Sequence, residues 1–233
     1  MNDNKLFPLS KSWSDFPLLL KQNIDKLNHG AVIVEIGGGA NPCLTRDQVQ
    51  NFHYIVIDIN QEELNKAKGN YFEKVCTDIT KNNRKIKCDI IITNMLLEHI
   101  PNPQEFHQSC FEMLNEQGKA IHFFATKISP ASIINIILPE KWSRRLLYKI
   151  QNRKWETQGK FPAYYRWCFG PINLQISRFE KLGFGIELFR GYLGSGYLKN
   201  IFLLRLLENY YNYIIMFIRS SYFCSNSIVV LYK

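Results

Sequence analysis

The stretch Val32-Ile33-Val34-Glu35-Ile36-Gly37-Gly38-Gly39-Ala40-Asn41-Pro42 decides the fold class. A β-branched run carries the chain into three consecutive glycines, which allow a tight turn and close approach of a ligand to the backbone. The pattern predicts a strand, a turn, and a helix starting near Pro42, since proline suits the first turn of a helix. In an open α/β sheet such turns lie where ligands bind, outside the carboxyl ends of the strands.

Working outward, the same unit recurs. Short apolar runs at 31–36, 54–57, 74–77, 88–93 and 119–124 predict strands, and helical periodicity at 15–27, 61–68 and 103–114 predicts helices between them. Asn115-Glu116-Gln117-Gly118 reads as a helix cap and turn ahead of the fifth strand. Strands alternating with helices imply a parallel sheet covered on both faces, and continuous apolar strands agree with burial on both sides. In the last third, 172–182 reads as a helix stopped by Gly183, while 185–189 and 227–232 read as strands. The connection between those strands is far longer than a hairpin needs, so 191–226 is expected to be an insertion, as is 127–170. There is no internal repeat. One domain spanning 1–233 is expected, which suits a chain of 233 residues.

Composition narrows the class. With 46% hydrophobic residues the chain is not globally disordered. The N-terminus lacks the basic start and apolar run of a signal peptide. The six cysteines are scattered without a C-x-x-C pair, which reads as free thiols in a reducing compartment and gives no metal-site spacing. The longest charge-free part of the late apolar block, 209–218, is too short to span a bilayer. A cytoplasmic protein is therefore expected. Net charge is +9, and Lys119 to Arg166 holds ten basic residues against Glu140 and Glu156. Within it, 140–152 reads as a basic amphipathic helix with Trp142, Leu146 and Ile150 on one face among Lys141, Arg144, Arg145 and Lys149. Such a segment suits a substrate lid, an anionic carrier, or peripheral contact with the inner face of an anionic membrane.

The glycine turn is neither a dinucleotide fingerprint, because Pro42 replaces the third glycine, nor a P-loop, because no G-K-[ST] follows. Glu35 before the turn disfavours a pyrophosphate and favours a cation. Asp58, at the tip of the second strand, can accept both hydroxyls of a ribose. Asp78, past the third, can accept from the exocyclic amine of adenine. A ligand with a cationic head, a ribose and an adenine, but no phosphate, is S-adenosyl-L-methionine. Taken singly, each acid also reads as a helix cap.

At this point the sequence resembles the class I S-adenosylmethionine-dependent methyltransferases, and within them the type 11 methyltransferase domain of the small-molecule branch. Glu35, Gly37 and Gly39 meet its E-x-G-x-G core, with Asn41 where the next glycine is usual. Asp58 and Asp78 match its ribose and adenine acids. Asn94-Met95-Leu96-Leu97-Glu98-His99-Ile100-Pro101-Asn102-Pro103 is similar to the motif after its fourth strand, which ends L-E-H-[VI]-x-[DN]-P. Leu114 to Lys119 resembles its L-x-P-G-G approach to strand five, and Leu182-Gly183-Phe184 its G-F before strand six. The likeness covers 15–125 strongly. It implies a Rossmann-like three-layer sandwich with a seven-stranded, mostly parallel sheet whose last strand is antiparallel. It implies a cofactor site of Glu35, Gly37, Gly38, Gly39, Asn41, Asp58, Ile59, Asp78, Ile79 and Asn94. Asn94 is not followed by the P-P-[YF] of base-amine methyltransferases, which argues against that substrate.

A hydroxyl acceptor needs a general base, and His99 is placed for it, although Glu98-His99 also reads as a structural element of the family. Tyr164, Tyr165 and Arg166, in an aromatic run, are candidates for a substrate wall. That run and the late apolar block are similar to a bacterial methyltransferase group of surface-glycan assembly. The expected activity is methyl transfer to a small-molecule or lipid-linked acceptor such as a sugar hydroxyl. The rivals are an RNA or protein methyltransferase and a non-catalytic scaffold of the same fold.

Overall fold

A computed structural model describes residues 6–81, 86–138, 161–194 and 202–233. The strands are β1 (Leu6–Pro8), β2 (Val32–Ile36), β3 (His53–Asp58), β4 (Glu73–Cys76), β5 (Cys88–Asn94), β6 (Leu114–Ala125), β7 (Gly185–Leu193) and β8 (Asn226–Tyr232). The helices are α1 (Leu9–Ile24), α2 (Arg46–Val49), α3 (Gln61–Lys66), α4 (Pro103–Met113), α5 (Pro130–Ile137), α6 (Asn173–Lys181) and α7 (Phe202–Ile218). One sheet runs in the order β1-β7-β8-β6-β5-β2-β3-β4. β8 lies antiparallel to both β6 and β7, and every other pairing is parallel. All seven expected strands form. Leu6–Pro8 adds a short eighth at the edge beside β7.

Alternation along the central strands divides the core into two layers. Ile33, Tyr54, Val56, Ile90 and Ile92 pack with Phe16, Leu20 and Ile24 of α1. Val34, Ile57 and Ile91 pack on the other face with Phe106, Cys110 and Met113 of α4 and Phe179 of α6. Helices on both faces explain why these strands carry no polar face.

Local signals set most element ends. The Asn60 side chain accepts from the N–H groups of Glu62 (2.9 Å) and Glu63 (3.2 Å) and starts α3. Gly183, at φ +95°, ends α6: Phe184 N–H donates to the Phe179 carbonyl and Gly183 N–H to that of Glu180. The helix expected near Pro42 instead starts at Arg46 and runs four residues. The turn at 115–118 is absorbed into β6 as an irregularity, where the four residues between Leu114 and Lys119 lie opposite the single residue between Cys88 and Ile90, with Gln117 at φ 67°.

The basic helix expected over 140–152 lies outside the described residues, as does the segment 195–201 that leads into α7. The described ends of the basic run do not share a surface. Lys119 lies midway along β6, opposite Ile90 near the start of β5, and is ion-paired to Glu187 at 2.5 Å. Arg166 lies at the other end of the sheet, on the Pro101 carbonyl at 2.8 Å. Among the described residues no helix is long and apolar enough to cross a membrane.

Candidate active site

β2, β3 and β5 are parallel neighbours, so their carboxyl ends open on one edge of the sheet. The turn after β2 is packed tightly there. A Cβ on Gly37, at φ +77°, would come within 2.7 Å of Leu96, and one on Gly38 within 2.8 Å of Val56. Glycine is required at both for the backbone to reach its neighbours. Gly39, at φ +43°, lies over the Asp58 carboxylate.

Glu35 is buried on the α1 face of the sheet. Its carboxylate accepts from the Cys43 N–H (2.9 Å to Oε2) and from the Tyr54 hydroxyl. Burial raises its pKa, and those two donors pull it down. Glu35 therefore clamps the loop 37–43 onto the sheet. Cys43 and Tyr54, which complete the clamp, carry no sequence signal, because neither residue type announces a bond to a carboxylate at that distance along the chain. Asn41 is exposed, its N–H bonded to the Gly38 carbonyl at 3.0 Å.

Asp58 ends β3, half-buried, and accepts from the Asn60 N–H at 2.9 Å. Desolvation raises its pKa, and N–H groups of Asn60, Ile59 and Gly39 oppose the rise. Ile59 next to it is 76% exposed, an apolar side chain held out at a strand tip. Asp78 lies two residues past β4. Its Oδ1 accepts from the N–H (3.0 Å) and hydroxyl (2.7 Å) of Thr80, so it caps the short turn Ile79–Lys81. Ile79 is buried in the α4-side core. Asn94 ends β5: its amide nitrogen points at the Cys43 sulfur (3.4 Å), and its Oδ1 is buried with no hydrogen-bond partner. An acceptor left unpaired costs stability unless a ligand satisfies it. A half-buried carboxylate, an exposed apolar side chain and an unpaired amide oxygen on one edge suit a ligand with hydroxyls, a flat apolar ring and an N–H donor.

Beyond β5, Leu97–His99 form a short helical turn. The aromatic run packs on it through main-chain bonds: the N–H groups of Tyr164 and Tyr165 donate to the Glu98 carbonyl at 2.7 and 3.0 Å. His99 Nδ1 lies 2.7 Å from the Pro162 carbonyl. A carbonyl only accepts, so Nδ1 carries the hydrogen and the lone pair of the neutral ring is on Nε2. Tyr164 is exposed, while Tyr165 is buried with its hydroxyl 3.2 Å from the Asn135 amide. Arg166 lies at the surface. Glu98 is buried, its pKa raised to about 7 by desolvation against the N–H groups of Glu98 and Ala125. His122 is a core residue, its Nδ1 2.9 Å from the Thr93 hydroxyl and its ring against buried His107.

The profile of the Methyltransferase domain family matches residues 11–155. The chain belongs to this family. Among solved structures, the methyltransferase resembles the N-methyltransferase NodS of Bradyrhizobium japonicum WM9, solved with S-adenosyl-l-homocysteine: TM-score 0.54, 12% identity, over 95% of this chain and 86% of that one. An S-adenosylmethionine-dependent methyltransferase of Mesorhizobium loti superposes at TM-score 0.56 and 12% identity, over 95% and 97% of the two chains. Coclaurine N-methyltransferase, bound to N-methylheliamine and S-adenosylhomocysteine, gives 0.57 and 14%, over 95% and 72%. At these identities the likeness is one of fold. No protein of curated function matches the chain.

Proposed function

We propose that this methyltransferase uses S-adenosyl-L-methionine to methylate a small-molecule or lipid-linked acceptor, with a hydroxyl, such as that of a sugar, as the attacking group. When bound, the cofactor supplies an electrophilic methyl group. Asp58 would take the ribose hydroxyls, Ile59 would cover one face of the adenine and Asp78 would receive its amine. The Asn94 Oδ1 would accept from the ammonium of the methionine part. Glu35 would act one step back, holding Gly37 to Gly39 and Asn41 in place through Cys43.

The observation that carries the hydroxyl reading is the bond from His99 Nδ1 to the Pro162 carbonyl. It leaves Nε2 as the basic nitrogen and orients the ring, which is what a general base needs and an amine acceptor does not. Tyr164 and Arg166, on the segment that positions His99, are the groups we assign to acceptor binding; Tyr165 anchors that segment from below. Positioning of donor and acceptor supplies the rest of the catalytic effect.

Calorimetric titration with S-adenosylmethionine tests the cofactor site. Asp58→Ala is expected to weaken binding about tenfold or more, near 1.4 kcal/mol. A screen of sugars and lipid-linked sugars, with RNA and protein acceptors alongside, tests the acceptor. Methylation of RNA or protein alone would replace this reading. A folded protein that binds no cofactor would be a scaffold.

A further inference from the structure

The helix α7 is turned inside out. Its outward face carries Phe202, Leu206, Tyr210, Tyr213, Met216 and Phe217, all exposed, with Tyr213 at 73% and Phe217 at 84%. These positions recur at helical spacing on one side. The opposite side faces the protein and holds Glu208, 6% exposed, the only acid in the helix. An ordinary surface helix buries its apolar stripe and shows its charges. The orientation is fixed by Tyr211, whose hydroxyl reaches the carbonyls of Phe223 (2.9 Å) and Ile128 (3.2 Å), and by buried Ile215.

Patches of this kind on soluble proteins mark interaction sites. Among the described residues of the helix and its C-terminal end, the charges that face out are cationic. Arg205 and Arg219, at the two ends of the helix, are exposed, and the Arg205 guanidinium lies over the Phe202 ring at 5.5 Å. With Glu208 turned inward, no acid of α7 faces out. The whole chain is +9. Pairing this face with a second copy would bring two strongly cationic molecules and their arginines together, whereas an anionic surface gains from both the charge and the apolar stripe. Tyrosines flanked by arginines also suit the headgroup layer, where an aromatic ring can keep its hydroxyl in water.

We infer that α7 lies in the plane of an anionic lipid bilayer, with its outward stripe inserted at the headgroup boundary. This goes beyond the acceptor chemistry proposed above, and it concerns a surface that no residue of that site shares.

Flotation with phosphatidylcholine vesicles containing phosphatidylglycerol, against phosphatidylcholine alone, is the test. The full chain is expected to float with the anionic vesicles. Tyr213→Glu combined with Phe217→Glu is expected to weaken that binding about tenfold or more. The same variant should keep its thermal midpoint and its affinity for S-adenosylmethionine, so loss of the lipid face and loss of the cofactor site read out separately. If that variant does not fold, Arg205→Gln with Arg219→Gln replaces it, with reduced binding to anionic vesicles only. Three results overturn the inference: no flotation of the full chain, flotation unchanged by the face variants, or a dimer in sedimentation that the face variant dissociates.

Discussion

Glu35, near the end of β2, and Glu98, four residues past the end of β5, are carboxyl groups removed from water beside neighbouring parallel strands. Their surroundings differ. Glu35 receives a backbone N–H and a tyrosine hydroxyl, both on the loop or strand it must hold. Glu98 has one oxygen with no hydrogen-bond partner, and its pKa rises to about 7. Burial raises the pKa in each case; the donors around it decide how far. The turn after β2 is thus built around a satisfied acceptor. The turn after β5 keeps an acid close to protonation under the segment that positions His99.

The largest effect is expected on the β5 side. His99→Asn should lower kcat about 10²–10⁴-fold with a hydroxyl acceptor, the usual contribution of a general base, and leave cofactor affinity unchanged in calorimetry. An unchanged rate would reduce His99 to a packing residue and make the two turns alike. On the β2 side the loss should appear in stability instead. Glu35→Ala strands the Tyr54 hydroxyl and the Cys43 N–H, and a buried unpaired donor costs about 1–3 kcal/mol. Chemical denaturation should record a loss of about 2–4 kcal/mol, with weaker cofactor binding as the glycine turn loosens.

Glu98→Gln sharpens the contrast through pH. The folded pKa of Glu98 lies above the ordinary carboxylate value, so the folded state holds the proton more tightly. Its presence is neutral to stability at acid pH and becomes destabilising as pH rises from the ordinary value through about 7. Denaturation midpoints should coincide for the two proteins near pH 4.5, and Glu98→Gln should be the more stable at pH 8, by at most about 3 kcal/mol. Equal midpoints at both pH values would mean that Glu98 keeps its charge at no cost.

Much of this was legible along the chain. The central strands β2, β5 and β8 were readable because both-face burial leaves nearly continuous apolar runs, whereas β4 at the sheet edge buries only Val75; Gly183 announced the end of α6. β1 was not readable: three residues at an edge carry no periodicity. Nor was α2, whose place was expected at Pro42; Glu35 draws the Cys43 N–H to itself, and the chain turns helical only at Arg46.

The sequence by itself determined the order of strands and helices, the glycine turn, the row of acids at the strand tips and the membership of the methyltransferase family. Those features are local, written in periodicity and residue type within a few positions. Only the tertiary structure decided how the acids are used. Whether a carboxylate clamps a loop, caps a turn or waits for a ligand depends on donors that arrive from far along the chain. Tyr54 meets Glu35 from 19 residues away and Pro162 meets His99 from 63. The same holds for α7: its apolar residues were plain in the sequence, but which side faced out was set by Tyr211 reaching two distant carbonyls.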